Sequence, residues 1–202
     1  IEPIEQENDV LLAALVATTR RAAQDLKMPD APAPGWVKMR AWDVDRYAAT
    51  GNFGALKNTS EAPSRPVYVE VVVGDNKLNS SRIDPHWSED LPAATTRRTL
   101  VVDDVAPGLS RDLWMATDES YKAALKRYAY KKTARKNTVG APPPPDLVQV
   151  KPVVHLDTST VTPIQTERLD VLATAISGRF RGMGLLSGTT VVRSIQGRRY
   201  VV

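Results

Sequence analysis

Side chains that commonly perform catalysis or bind metals are scarce in this chain. It contains no cysteine, so thiolate catalysis and Cys-ligated zinc are excluded, and only two histidines. His86 and His155 lie far apart, and neither belongs to an HExxH spacing that would put two imidazoles on one helix face. Asp103 and Asp104 are adjacent in a predicted loop, where neighbouring carboxylates seldom converge on one reacting atom. The sequence therefore predicts no catalytic, metal-binding or cofactor-binding residue.

The second half of the longest predicted helix is strongly basic and is one candidate binding surface. Its possible nucleic-acid contacts are Lys126, Lys131, Lys132, Arg135 and Lys136. A net charge of +4 agrees with such a partner. However, cations near a helix C-terminus are stabilising in their own right, and Tyr121 and Tyr128 fall on the stripe assigned to the core. We therefore interpret this half of the helix as a solvated face and do not expect nucleic acid as a partner.

Three tryptophans form a second candidate surface, for a peptide or another protein. Trp36 and Trp42 are six residues apart in a predicted strand, so they lie on the same side of it, and Trp87 follows His86 in a loop. Exposed, these rings would suit a cleft that accepts an extended peptide. Buried, they would add bulk to a core that has only two phenylalanines, which is the interpretation we prefer.

Hydrophobic periodicity predicts the elements that must position these side chains. Helices are predicted over residues 4–27 and 110–137 and from residue 163 onward, and strands over 36–44, 46–57, 65–73, 147–154, 189–195 and 198–202. Asp43 and Asp45 are interpreted as the turn between the first two strands, and Gln196-Gly197 as a hairpin turn. Thr162 is predicted to cap the third helix through a capping box.

The resulting order, α-β-β-β-α-β-α-β-β, predicts an α+β fold with a largely antiparallel sheet and helices packed on one face. We expect a single domain over residues 1–202, with a sub-boundary at the proline-rich linker 138–146. No apolar run approaches the roughly 20 residues that a membrane span requires. The glycines at 182, 184 and 188 follow a helix instead of opening one, so a nucleotide-binding loop is not expected.

Four blocks of sequence carry a resemblance to a known family. They are residues 49–56 (ATGNFGAL), 65–75 (RPVYVEVVVGD), 112–122 (DLWMATDESYK) and 131–137 (KKTARKN). Together they resemble the N-terminal region of the bacterial TldD/PmbA family, whose members are associated with modulation of DNA gyrase and with zinc metalloproteases. The zinc-binding helix of that family lies in a later part of the full-length proteins, and no residue here matches it.

The resemblance implies a non-catalytic N-terminal domain that contributes to a substrate cavity or a dimer surface. Its expected partners are the missing C-terminal domain, a second subunit and the peptide substrate of the parent protein. The full-length parent protein could hold zinc. A free-standing protein- or peptide-binding module is the alternative, and nucleic-acid binding through residues 122–136 is a second one. A start at Ile1 and an end inside an apolar run suggest a fragment. An exported protein without its signal is slightly favoured over a cytoplasmic one.

Overall fold

The computed structural model of the protein describes residues 9–83, 91–136, 144–148 and 160–202. The elements in these ranges are α1 (Val10–Asp25), β1 (Pro34–Asn52), β2 (Ala55–Glu61), β3 (Arg65–Val73), β4 (Thr96–Leu100), α2 (Ala106–Lys136), α3 (Thr166–Gly178) and β5 (Thr189–Val201). The strands form one five-stranded sheet in the order β2-β1-β3-β4, and β5 also pairs with β1. The predicted α+β class with a largely antiparallel sheet is confirmed.

The chain divides into two compact units, and β1 and β5 each contribute to both. Unit 1 comprises Ile1–Ala41, Pro66–His155 and Tyr200–Val202, and unit 2 comprises Trp42–Arg65 and Leu156–Arg199. The proline-rich linker proposed as a sub-boundary belongs to unit 1 and lies largely outside the described residues.

The core of unit 1 lies between one face of the sheet and the helices α1 and α2. Alternation in β3 buries the valines at positions 67, 69, 71 and 73, as the sequence predicts. Leu11 and Leu15 of α1 and Leu109 and Leu113 of α2 pack into the same cluster. Ser120 joins α2 to β3, because its Oγ accepts from the amide of residue 71 at 3.0 Å and donates to the carbonyl of residue 69 at 3.2 Å.

The core of unit 2 is much smaller. Tyr47, Ala49 and Ala173 are buried, and Leu169 and Val192 pack against them. Helix α3 lies so close to β1 that a Cβ at position 51 would collide with the backbone carbonyl oxygen of Ala173. The glycine at that position is therefore required by a close approach of two backbones.

Two predicted turns are wrong, since β1 and β5 are each continuous. Asp43 and Asp45 lie inside β1, and Asp43 forms a two-bond ion pair with Arg65, with distances of 3.0 and 2.9 Å. Gly197 lies inside β5, where a Cβ would collide with the carbonyl oxygen of Asp43 and stand 3.0 Å from the Cα of Val44. This glycine permits strands to approach each other and does not make a turn.

The predicted capping box of the third helix is also wrong. Helix α3 begins at Thr166, and the side chain of Gln165 at its N-cap makes no capping hydrogen bond. In its hydrogen-bonded orientation, the Gln196 amide of β5 donates to the carbonyl of Thr162 and accepts from the amide of Ile164. These bonds hold the segment before α3 outside the helix.

The elements differ from those predicted in three further respects, in their number or in their bounds. β4 occupies a region predicted as loop, because a strand of five residues shows little periodicity. Helix α1 begins at Val10 and is capped by Asp9, whose Oδ1 accepts from the amide of Leu12 at 2.9 Å. The strand predicted over 147–154 lies mostly outside the described residues, and residues 147 and 148 are not in a strand.

Candidate functional site

The basic half of α2 is partly engaged in internal contacts. Lys131 is 8% exposed, and its Nζ lies 2.7 Å from Oδ2 of the buried Asp146. Arg135 donates to the other carboxylate oxygen at 2.9 Å, and the backbone amide of Asn79 donates to Oδ2 at 2.8 Å. The interpretation of this half as a purely solvated face is therefore wrong for Lys131, which forms a buried ion pair.

Two arginines of α2 also hold the segment that follows β3. Arg127 donates to the carbonyl oxygens of Ser80, Ser81 and Pro92 at 3.2 to 3.4 Å, and burial lowers the pKa of its guanidinium. Arg135 donates to the carbonyl of Lys77 at 2.9 Å. Of the five predicted nucleic-acid contacts, the exposed ones are Lys126, Lys132 and Lys136. Three exposed lysines are a weaker feature than the five contacts considered from the sequence.

The tryptophans give no joint site among the described residues. Trp36 and Trp42 are half-buried and occupy even-numbered positions of β1, whose odd-numbered positions carry the buried Met39 and Ala41. The guanidinium of Arg199 lies 5.7 Å from the centroid of Trp42. Trp87 lies outside the described residues, as does His86. The peptide surface proposed for these rings stays a prediction.

The described carboxylates form structural contacts or face solvent. Asp103 and Asp104 are exposed. The Tyr47 hydroxyl donates to Asp170 at 2.8 Å, and this hydrogen bond is the main reason why the pKa of Tyr47 is raised. Within the described ranges, no group of three or more His, Asp or Glu side chains could hold a metal ion, and no helix is long and apolar enough to span a membrane.

One surface feature of unit 2 is apolar, and the sequence analysis missed it. The helical spacing of Leu169, Leu172, Ala173 and Ile176 is typical of one buried face, yet Leu172 and Ile176 are 44% and 37% exposed. Helix α3 instead buries Ala173 and Ser177. We call the exposed apolar side chains of α3 and the segment after it the α3 patch: Val171, Leu172, Ile176, Met183, Leu185 and Leu186. A run of exposed Leu, Ile, Val and Met typically marks a protein–protein interface.

A groove on unit 2 runs beside β5. It has a volume of about 790 Å³ and is lined by residues 161–165, Arg168 and Leu169 on one side and by residues 194–197 on the other. The neighbouring side chains Val191 and Ile195 of β5 are 48% and 66% exposed. The groove therefore offers apolar side chains and strand backbone to a ligand, without a cluster of charged groups.

Comparisons with known proteins do not identify a family for this chain. No protein-family model matches it, and no curated protein matches its sequence. A solved structure from Thermotoga maritima, described as a proposed modulator of a DNA gyrase, is similar over 82% of this chain and 30% of that one, with a TM-score of 0.35 and 11% identity. The chain thus spans less than a third of that protein. A likeness this weak identifies neither the family nor the activity, so the TldD/PmbA assignment stays a prediction from the four sequence blocks.

Proposed function

We propose that this chain is a non-catalytic, protein-binding domain of a TldD/PmbA-like protein, in which the α3 patch packs against the domain that follows. The four sequence blocks support the family, and the α3 patch carries the proposed role. Among the residues of unit 2 that the structure describes, three apolar ones are buried, whereas the six large side chains of the α3 patch are exposed, and exposed apolar patches are typical of protein–protein contacts. The zinc chemistry and the peptide substrate would belong to the following domain.

The first test is the coding sequence that follows Val202. We expect a downstream region that contains an HExxxH-type helix, because the family's zinc ligands lie there. The chain should then be produced with and without that region, and a dye that binds exposed apolar surface should be compared between the two proteins. Dye fluorescence per molecule should fall when the downstream region is present. Equal fluorescence, with equal hydrogen exchange in α3, would contradict the proposal.

Variants of the isolated chain identify the surface that the dye reports. Replacing Leu172 and Ile176 by serine should lower dye fluorescence and lower the unfolding midpoint only modestly, since 44% and 37% of these residues are already exposed. Val105 is the matched control, because it is 54% exposed and belongs to unit 1. Its serine variant should keep the wild-type fluorescence. If the Val105 variant lost fluorescence and the Leu172 and Ile176 variant kept it, the dye would bind a surface other than α3.

A second candidate function is peptide binding in the groove beside β5. The observation in its favour is that Val191 and Ile195 are exposed along a strand that borders a groove of about 790 Å³. An extended peptide could pair with a strand edge and place alternate side chains on this surface. Replacing Ile195 by lysine should abolish such binding without affecting the dye signal of the α3 patch. The two functions are therefore separable in one set of variants.

A further inference from the structure

A row of three side chains crosses the outer face of the sheet in unit 1. Arg40 of β1 lies directly opposite Tyr68 of β3, and β4 on the other side of β3 carries Arg97. The guanidinium carbons of Arg40 and Arg97 lie 5.8 and 5.6 Å from the centroid of the Tyr68 ring. Both arginines are within cation–π range of one ring, so two planar cations flank one aromatic side chain.

This row lies on the face of the sheet opposite to α1 and α2. Residues 67, 69, 71 and 73 of β3 face the helices, and Tyr68 and Glu70 alternate with them. In β4, Thr96 and Leu100 are buried while Arg97 is exposed. Lys38 lies opposite Glu70 in the next row, which balances one positive charge with one negative charge. The Arg40–Tyr68–Arg97 row itself carries two positive charges.

We propose that this row is a binding surface for single-stranded nucleic acid. A guanidinium binds phosphate through a fork of N–H donors and also stacks on planar rings. The row therefore offers N–H donors for phosphate and guanidinium planes, supported by the Tyr68 ring, on which bases can stack, the combination that single strands use. An acidic peptide would use the charges but not the aromatic platform. Duplex DNA keeps its bases stacked, so a flat face that contains one ring and two guanidinium planes suits unpaired bases better.

This inference concerns the sheet and not the basic helix, and it does not depend on the proposed function. Trp36 lies four residues before Arg40 on the same side of β1, about 13 Å away at the usual rise of a strand. A strand of nucleotides that follows β1 could therefore reach a second aromatic side chain. Because Arg40, Tyr68 and Arg97 are 28 and 29 residues apart in sequence, no local motif reveals the row.

The test is fluorescence anisotropy with a labelled oligothymidylate of about 16 nucleotides, the upper end of the site size of a small domain. We expect a dissociation constant between about 1 and 100 μM that weakens as salt rises from about 50 to 200 mM. Replacing Arg40 and Arg97 together by glutamine should lower the salt slope by about 1.4, since each phosphate contact on a single strand contributes about 0.7. Replacing Tyr68 by alanine should weaken binding by about 5-fold or more, whereas phenylalanine should retain it.

The control variant replaces the exposed Lys132 and Lys136 by glutamine, which removes the same charge from a different surface. It should keep both the affinity and the salt slope. Circular dichroism melting checks that each variant is folded. If the Tyr68→Ala variant is unfolded, the double variant of Arg40 and Arg97 alone decides the outcome.

Three results would overturn the proposal. They are no binding at about 100 μM protein in low salt, an equal loss of slope in the lysine control, and competition by polyglutamate as strong as by unlabelled oligothymidylate. The last result would indicate a surface for acidic polypeptides.

Discussion

Replacing Asp146 by alanine should strongly destabilise unit 1, because the carboxylate is the acceptor for a buried lysine. The Lys131 side chain is 9% exposed and lies 2.7 Å from Asp146. Removing one partner of a buried ion pair typically costs about 3–5 kcal/mol, since the remaining charge stays desolvated. Arg135 adds less, because its side chain is 25% exposed and can turn toward water. With a urea m-value of about 2 kcal/mol/M, the unfolding midpoint should fall by roughly 1.5–2.5 M.

The partner substitution should cost less, and the pair should be strongly coupled. Lys131→Met leaves Asp146 with the Arg135 guanidinium and the Asn79 amide, so we expect a loss of about 1.5–3 kcal/mol. Combining Lys131→Met with Asp146→Ala should cost less than the sum of the two single variants, because no buried lysine is left without its carboxylate. Lys132→Ala is the control, since this exposed neighbour should change stability by about 0.5 kcal/mol at most. If Asp146→Ala behaved like this control, the carboxylate would not be buried against α2.

Three further predictions concern single positions. Gly197→Ala should prevent β5 from pairing normally with β1 and lower the melting temperature sharply, because a Cβ there meets the β1 backbone; a wild-type melting curve would contradict the continuous strand. Ser120→Ala should cost about 1–3 kcal/mol in urea unfolding, since a buried β3 amide loses its side-chain acceptor; no change would mean that water replaces the hydroxyl. Asp75→Asn should reduce stability at neutral pH and have little effect below the lowered pKa of Asp75, because two backbone N–H bonds lower this pKa and the resulting stabilisation is lost as the pH falls through the folded-state value; equal loss at both pH values would refute this.

The parts of the fold that follow from local pattern could be predicted from the sequence. Strand β3 spans the residues predicted for it, 65–73. Its valines alternate in sequence because burial on one face of a strand imposes a period of two. The stripe of α2 around Leu113 and Tyr121 was likewise predicted as buried, and both side chains are 0% exposed. These elements are long and contact a large core, so their own sequence carries the signal of that core.

The errors occur where a distant residue decides the local structure. Asp43 is a residue type that is common in turns. However, Arg65 at the start of β3 forms an ion pair with it, and β1 continues past this position. Gln196-Gly197 has the composition of a hairpin, but the glycine allows close approach to β1, and the glutamine bonds to the segment before α3. Turn propensity measures only what a short segment does alone. The partner lies more than 20 residues away in each case, so it does not enter that measure.

The same reason explains why the charge pattern did not predict where Lys131 lies. A run of lysines on α2 predicts a solvated basic face, yet Asp146 reaches Lys131 from 15 residues away and removes that charge from the surface. Conversely, the sequence shows no basic and aromatic cluster around Tyr68, and the sheet brings two arginines beside it from separate strands. The interaction energy of a charge depends on its distance from other charges and on its burial, and the fold sets both. The charge pattern of α2 alone therefore does not show which of its cations reach the surface.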